Sequence, residues 1–131
     1  MAYLRNKDTL FLCTNSDATY PSHDKLFPGA GTTIAPLIYL TNRQPTSLGK
    51  PSKEMMDCIV AKFEFDRSRT CIVGDRLDTD IEFGKRGGLG GTLMVCTGVN
   101  KESDILDSQA EIIPDYYVEQ LGDLFALTKD E

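Results

Sequence analysis

Residues 69–88 read RTCIVGDRLDTDIEFGKRGG. An apolar run ends at Gly74-Asp75, and Asp78 and Asp80 follow at the start of a helical pattern. A carboxylate at the carboxyl end of a buried strand stands where open α/β sheets bind ligands. A second carboxylate about one turn into the next helix can lean back to the same mouth, because helical side chains tilt toward the N-terminus. Hard oxygen donors placed so suit Mg2+ shared with a phosphate. The same acids also serve a structural purpose, Asp75 as a helix cap and Asp78 and Asp80 as complements to the helix dipole. Spacing alone favours that second reading. An EF-hand is excluded: counted from Asp78, the sixth residue is Phe83 and the twelfth Leu89, not Gly and Glu.

Lys50 is the next candidate. It sits in LGKPS (48–52), just ahead of a helix that Ser52 can cap. A lysine there can neutralise a phosphoryl group while the helix N-terminus adds its own positive end. A solvated connector lysine explains the same residue. The glycines of GKRGGLGG follow a helix and precede a strand, the reverse of a phosphate loop, so they read as a helix C-cap and a tight turn. His23 is alone in a polar loop and reads as solvated, and Met55 and Met56 read as core. No Ser–His–Asp or Cys–His pattern occurs.

These residues need elements to position them. DTLFLC (8–13), TCIVG (70–74) and GTLMVCTG (91–98) are short bounded apolar runs and predict strands. Residues 14–31 are rich in turn formers and predict a long loop. A helix is predicted over 31–43, with Ile34, Leu37, Ile38 and Leu40 on one face and Pro36 in its first turn. Another runs from Ser52 to about Phe63, its apolar face formed by Met55, Met56, Ile59, Val60 and Phe63. A short helix over 77–87 carries acids first and Lys85 and Arg86 last. A helical turn in KESDILDS and a strand then helix over 115–127 complete the chain. Strands alternating with helices predict an α/β fold, a parallel sheet covered on both faces. The Pro- and Gly-punctuated stretch 44–52 is the expected domain boundary.

Composition bounds the function. The 131 residues carry a formal net charge of −6 and a pI near 4.7, which lacks the basic footprint of nucleic-acid binding. No apolar run is long enough for a membrane span, and the opening MAYLRNKDTL has no secretory-signal pattern. Cys13, Cys58, Cys71 and Cys96 are widely spaced, with no C-x-x-C pair. Cys13 and Cys71 lie in apolar runs and read as small buried hydrophobes. Zinc and a disulfide framework are not expected, and a reducing, cytoplasmic compartment is.

GKPS, IVGDRLDTDI and GGLGGTLMVCTGV, in that order, resemble the third and fourth motifs of the haloacid dehalogenase (HAD) superfamily. FLCTNSDATYP and FPGAGTTIAPL are similar to the cap segments of its 4-nitrophenylphosphatase and phosphoglycolate phosphatase branch, and LGDLFALT is especially like the fungal members. The resemblance implies an incomplete Rossmann-like parallel sheet with part of an α/β cap, residues 1–46 belonging to the cap and 47–131 to the core. It implies a Mg2+-dependent phosphomonoesterase acting on a small phosphorylated metabolite through an aspartyl phosphate. Lys50 matches the lysine that holds nucleophile and phosphoryl group, Asp75 the Mg2+ ligand and Asp80 the second acid. Asn15, Asp17 and Arg76 fall where the substrate is bound. The family's D-x-D-G strand and its second motif do not occur in these residues; the only D-x-D is Asp78-Thr79-Asp80, inside the fourth motif. The chain therefore resembles the C-terminal part of such a phosphatase. Two other readings follow from the residues: an inactive phosphatase-like interaction fragment, with homo-oligomerisation through an open sheet edge, and a receiver-like domain. Cys13, where the latter needs a phospho-accepting Asp, counts against it.

Overall fold

The structure is a computed structural model that describes residues 2–22 and 25–127; His23 lies outside the described residues. The C-terminal unit is built on three parallel strands: β5 (Cys71–Gly74), β6 (Gly91–Val95) and β7 (Tyr116–Val118), in the order β5-β6-β7. The register places Val73 beside Leu93 and Leu93 beside Tyr116. Parallel pairs need crossovers. A π-helical turn, Leu77–Ile81, runs into α3 (Glu82–Gly87) and joins β5 to β6; α4 (Glu102–Leu106) lies between β6 and β7. α5 (Leu124–Leu127) ends the described chain.

Strand β6 is the centre of the core, buried from Gly91 through Met94. Ile81, Met94 and Ile105 form its fully enclosed cluster, with Leu77, Cys96 and Ile112 packed around them. α3 lies flush on the strands, since a Cβ on Gly84 would meet Ile72 and Thr92 side chains at 2.5 and 2.7 Å. α2 (Lys53–Lys62) packs its Met56 against Gly87 of α3. The predicted Ser52 cap is present, its Oγ accepting from Met55 N at 3.3 Å. Gly88 closes α3 in the left-handed conformation, as the glycine run predicts.

Several expectations are corrected. Both faces are covered at β6 but not at β5, where Ile72 is half-buried while Cys71 is exposed and Val73 is 44% exposed. Side chains alternate across a strand, and α3 lies on the Ile72 face. So Cys71 is not a core residue, whereas Cys13 is buried as expected. Phe63 ends α2 as its C-cap and is exposed, not part of the buried face.

The N-terminal unit holds two small sheets. The strand predicted over 8–13 is confined to β1 (Leu12–Cys13), which pairs in parallel with β4 (Thr46–Ser47), inside the predicted connector. The predicted 14–31 loop instead contains an antiparallel hairpin, β2 (Thr19–Ser22) and β3 (Lys25–Pro28). Tyr20 sits opposite Phe27 with ring centroids 5.8 Å apart, a cross-strand aromatic pair that outweighs the turn-rich composition. α1 (Ala30–Thr41) starts within one residue of the expected position, and Pro36 is its seventh residue, inside the helix and not in its first turn. Thr32 and Thr33 secure that start by bonding back to the carbonyls of Gly29 and Ala30 at 2.7 and 2.8 Å. No residue of α1 is fully buried: Ile34, Leu37 and Ile38 are half-covered and Leu40 is exposed. Arg43 ties the N-terminal turn to this unit by donating to the carbonyls of Leu4, Asn6 and Thr9.

Candidate active site

Asp75 leaves the carboxyl end of β5, but its side chain does not cap the helix that follows. Its Oδ2 accepts from Val99 N at 2.9 Å, and its carbonyl accepts from Asn100 N at 3.0 Å. The loop after β6 presses on the carboxylate, since a Cβ on Gly98 would lie 1.8 Å from Asp75 Oδ2. Asp75 Oδ1 takes no hydrogen bond among the described residues.

Asp80 sits on the π-helical turn, whose wide backbone returns two amides, those of Asp80 and Ile81, to the carbonyl of Arg76 at 3.0 and 3.1 Å. Such turns frequently mark functional positions in helices. Here the turn lays Asp80 against the strand end: a Cβ on Gly74 would lie 2.3 Å from Asp80 Cβ. Asp80 is 6% exposed, and a buried carboxylate needs partners. Lys50 Nζ donates to its Oδ1 and Arg76 N to its Oδ2, the latter at 3.2 Å. Asp78, two residues earlier, points outward and pairs with Arg76.

Lys50 reaches Asp80 from the β4–α2 connector. Gly49 lets that connector touch the Thr14 carbonyl, which a Cβ would approach to 1.8 Å, so the lysine and the Thr14-Asn15 segment are joined directly. Asn15 turns the segment by accepting from Asp17 N at 3.2 Å. Arg76 donates from Nε and a terminal nitrogen to both oxygens of Asp78 at 3.2 Å, and its other terminal nitrogen lies 3.7 Å from Asp17. Asp78, first through its hydrogen bond and then its charge, followed by Asp17 and Asp75, raises the Arg76 guanidinium above its ordinary pKa.

The structure thus brings Asn15, Asp17, Lys50, Asp75, Arg76 and Asp80 around one cavity of about 370 Å³. Thr14, Gly49, Met55 and Thr79 complete its lining; Met55, read as core from the sequence, is half-buried at the cavity wall, and Thr79 was not singled out. Nor were Gly98, Val99 and Asn100, which hold Asp75 and, through Asn100 Oδ1 accepting from Leu77 N at 3.0 Å, the start of the π-helical turn. The run of small and amide residues after β6, TGVN, is the signal that marks them.

The donor chemistry fits a hard divalent cation in part. Asp75 offers a carboxylate oxygen, while Asp80 is engaged by Lys50. Among the described residues no group of three or more His, Cys, Asp or Glu could enclose a metal ion. These residues would supply one side of a coordination shell.

A HAD-hydrolase-like family model matches residues 47–124, more than half of the chain. The chain belongs to the HAD-like hydrolase family. Within that family it is 52% identical over 122 residues to the 4-nitrophenylphosphatase of Schizosaccharomyces pombe, covering 93% of this chain and 41% of the relative. It is 46% identical over 123 residues to phosphoglycolate phosphatase 2 of Arabidopsis thaliana, covering 93% of this chain and 40% of that protein. Among solved structures, a glycerol phosphate phosphatase of Mycobacterium tuberculosis in complex with magnesium superposes with a TM-score of 0.80 at 37% identity, over 92% of this chain and 36% of that one. The HAD-like chain therefore spans about two fifths of the length of the relatives it matches. Among its described residues no helix is long and apolar enough to cross a membrane.

Proposed function

We propose that this chain carries the lysine and metal half of a Mg2+-dependent phosphomonoesterase acting on a small phosphorylated metabolite. The observation that carries the reading is the convergence of Lys50, Asp75 and Asp80, from separate segments, on one cavity at the carboxyl end of β5. Lys50 would offset charge on a bound phosphoryl group, and Asp80 holds the ammonium in place for it. Asp75 would ligate the metal through the oxygen that Val99 N leaves open. When bound, Mg2+ supplies Lewis-acid stabilisation of phosphoryl charge. Asn15, Asp17 and Arg76 line the side from which the rest of the substrate enters. Residues 1–46 belong in this reading to a cap and 47–131 to a core. The 131 residues contain no D-x-D-G, so the aspartyl phosphate would form on a carboxylate outside them. The phosphatase relatives, one of them solved with magnesium, support the same assignment.

The test joins this chain to the N-terminal portion of a phosphatase relative and assays 4-nitrophenyl phosphate with and without Mg2+. Hydrolysis should require Mg2+, fall at least about a hundredfold in Asp75→Asn, and fall in Lys50→Ala with Mg2+ binding largely retained. The 131 residues alone should bind Mg2+ weakly and turn nothing over. An Asp75→Asn chimaera that binds Mg2+ and hydrolyses substrate like its parent would sink the assignment.

A further inference from the structure

The segment after β6 carries a chain of bonds that reaches both acids of the phosphate cavity. Asn100 N donates to the Asp75 carbonyl at 3.0 Å, and Asn100 Oδ1 accepts from Leu77 N at 3.0 Å. One residue thereby pins the backbone on either side of Arg76. The Arg76 amide held between those pins is the one that donates to Asp80 Oδ2 at 3.2 Å. Next to Asn100, Val99 N holds Asp75 Oδ2 at 2.9 Å. Lys101 keeps this short loop closed, its ammonium donating to the carbonyls of Cys96 and Gly98 at 3.1 and 2.9 Å.

The Asn100 amide has to face one way to do this. Leu77 N needs an acceptor, so the amide oxygen points at the π-helical turn. The NH2 then points at α4, where Asp104 Oδ2 accepts it at 2.9 Å and also accepts Lys101 N at 2.9 Å. The bond from Asn100 foremost, and then that from Lys101 N, holds the Asp104 carboxyl below its ordinary pKa. At neutral pH it is therefore an anion that can only accept. A flipped amide would set oxygen against that carboxylate and NH2 against the Leu77 N–H, a mismatch at both ends. Neither Asn100 nor Asp104 lines the phosphate cavity; both line a separate one of about 360 Å³ that shares only Arg76 with it. Any effect they have on a bound cation passes through Asp75 and the π-helical turn.

We infer that Asn100 is a positioning residue for the metal-binding carboxylate: oriented by Asp104, it fixes the backbone from Asp75 to Leu77 so that Asp75 keeps an oxygen free for the cation and the Arg76 amide stays on Asp80. This role rests on the metal half of the reading above.

NMR on the 131-residue chain, with Mg2+ as the probe, tests it in two stages. Without metal, exchange of the Leu77 and Val99 amides with water and the shift of the Asp75 carboxyl carbon report the geometry. Asp104→Ala, at an exposed position in the first turn of α4, removes the bond that orients Asn100 without touching the phosphate cavity. It should speed exchange at both amides and move the Asp75 signal, and Asn100→Ala should do so more strongly. With Mg2+ added, the Kd read from the Asp75 signal should rise about tenfold in both variants, the low end for a lost partner of a metal ligand. Asp104→Asn keeps an oxygen that can accept both bonds and should restore the parent's exchange and Kd. If both alanine variants bind Mg2+ like the parent, Asn100 does not position Asp75, and the metal reading stands without it. If Asp104→Asn weakens Mg2+ as much as Asp104→Ala, the charge on α4 rather than the bond is responsible and the inference is wrong. If Mg2+ does not move the Asp75 signal even in the parent, the metal reading fails and the role of Asn100 falls with it.

Discussion

The contact between Lys50 and Asp80 permits a quantitative test of how the site is held. Asp80 is 6% exposed, and its carboxylate has two partners, Lys50 Nζ and Arg76 N. Lys50→Met removes one and leaves a buried charge on a single backbone amide. Breaking a fully buried pair this way costs about 3–5 kcal/mol. The Lys50 side chain is 42% exposed, so water reaches the pair and the loss should be nearer ~1–2 kcal/mol. Asp80→Asn keeps the shape but has one acceptor for two donors, so its NH2 must oppose either the Lys50 ammonium or the Arg76 amide, at a similar cost of ~1–2 kcal/mol. In the double variant the buried charge and the mismatched donor are both gone. Its loss should therefore be smaller than the sum of the two by at least ~1 kcal/mol. Urea unfolding followed by circular dichroism reads this directly: with a slope of about 1–3 kcal/mol per molar, each single variant shifts the midpoint by roughly half a molar or more. Losses that add to within ~0.3 kcal/mol would show that the lysine does not hold Asp80, and that the π-helical turn and Gly74 alone place it.

Other consequences can be checked separately. Gly98→Ala should push the Asp75 carboxylate aside, because the new methyl would lie 1.8 Å from Oδ2; the Asp75 and Val99 resonances should shift, and Mg2+ affinity in the chimaera should fall about tenfold or more. Thr92 is buried and donates to Asp115 from both N and Oγ1, at 2.8 and 2.7 Å, and these bonds, the side-chain one foremost, hold the Asp115 pKa below its ordinary value. A depressed folded pKa means stability that is complete above the unfolded value near 3.9 and lost as pH falls through the lower, folded one. Thr92→Val should accordingly flatten the acid limb of a midpoint-versus-pH curve below about pH 4, and an unchanged limb would exclude the pair as its source. The open edge of β5, with Cys71 and Val73 exposed, should make the 131-residue chain self-associate; light scattering that reports only monomer at high concentration would count against this, and Val73→Lys should shift any association toward monomer.

Much of the site was legible through the resemblance of short windows to family motifs, where residue types and spacing alone favoured a structural reading. GDRLDTD at a strand end, GKPS before a capped helix and TNSD after an apolar strand name six residues of one cavity. The parallel sheet was legible too, since β5 and β6 are bounded apolar runs separated by a helical pattern. The β2–β3 hairpin was not, because its strands carry proline, serine and lysine among turn formers, and the Tyr20–Phe27 pairing that stabilises it joins residues seven apart. The start of α1 was legible to within one residue, but Pro36 was misplaced in its first turn: counted from Ala30 it is the seventh residue, inside the helix.

What the sequence by itself determined is the chemistry on offer: two carboxylates and a lysine, in an acidic chain with the motifs of HAD-like hydrolases. Only the tertiary structure decided what each group does with its bonds. Local spacing made Asp75 a cap and Asp80 a dipole partner with equal ease. In the fold, Asp75 bonds a loop 24 residues on, at Val99, and Asp80 a lysine 30 residues back. Such contacts carry no local signal. They exist because Gly74 and Gly98 lack the Cβ atoms that would occupy the space of the two carboxylates, and because a π-helical turn aims Asp80 inward, leaving Asp78 outside to hold Arg76.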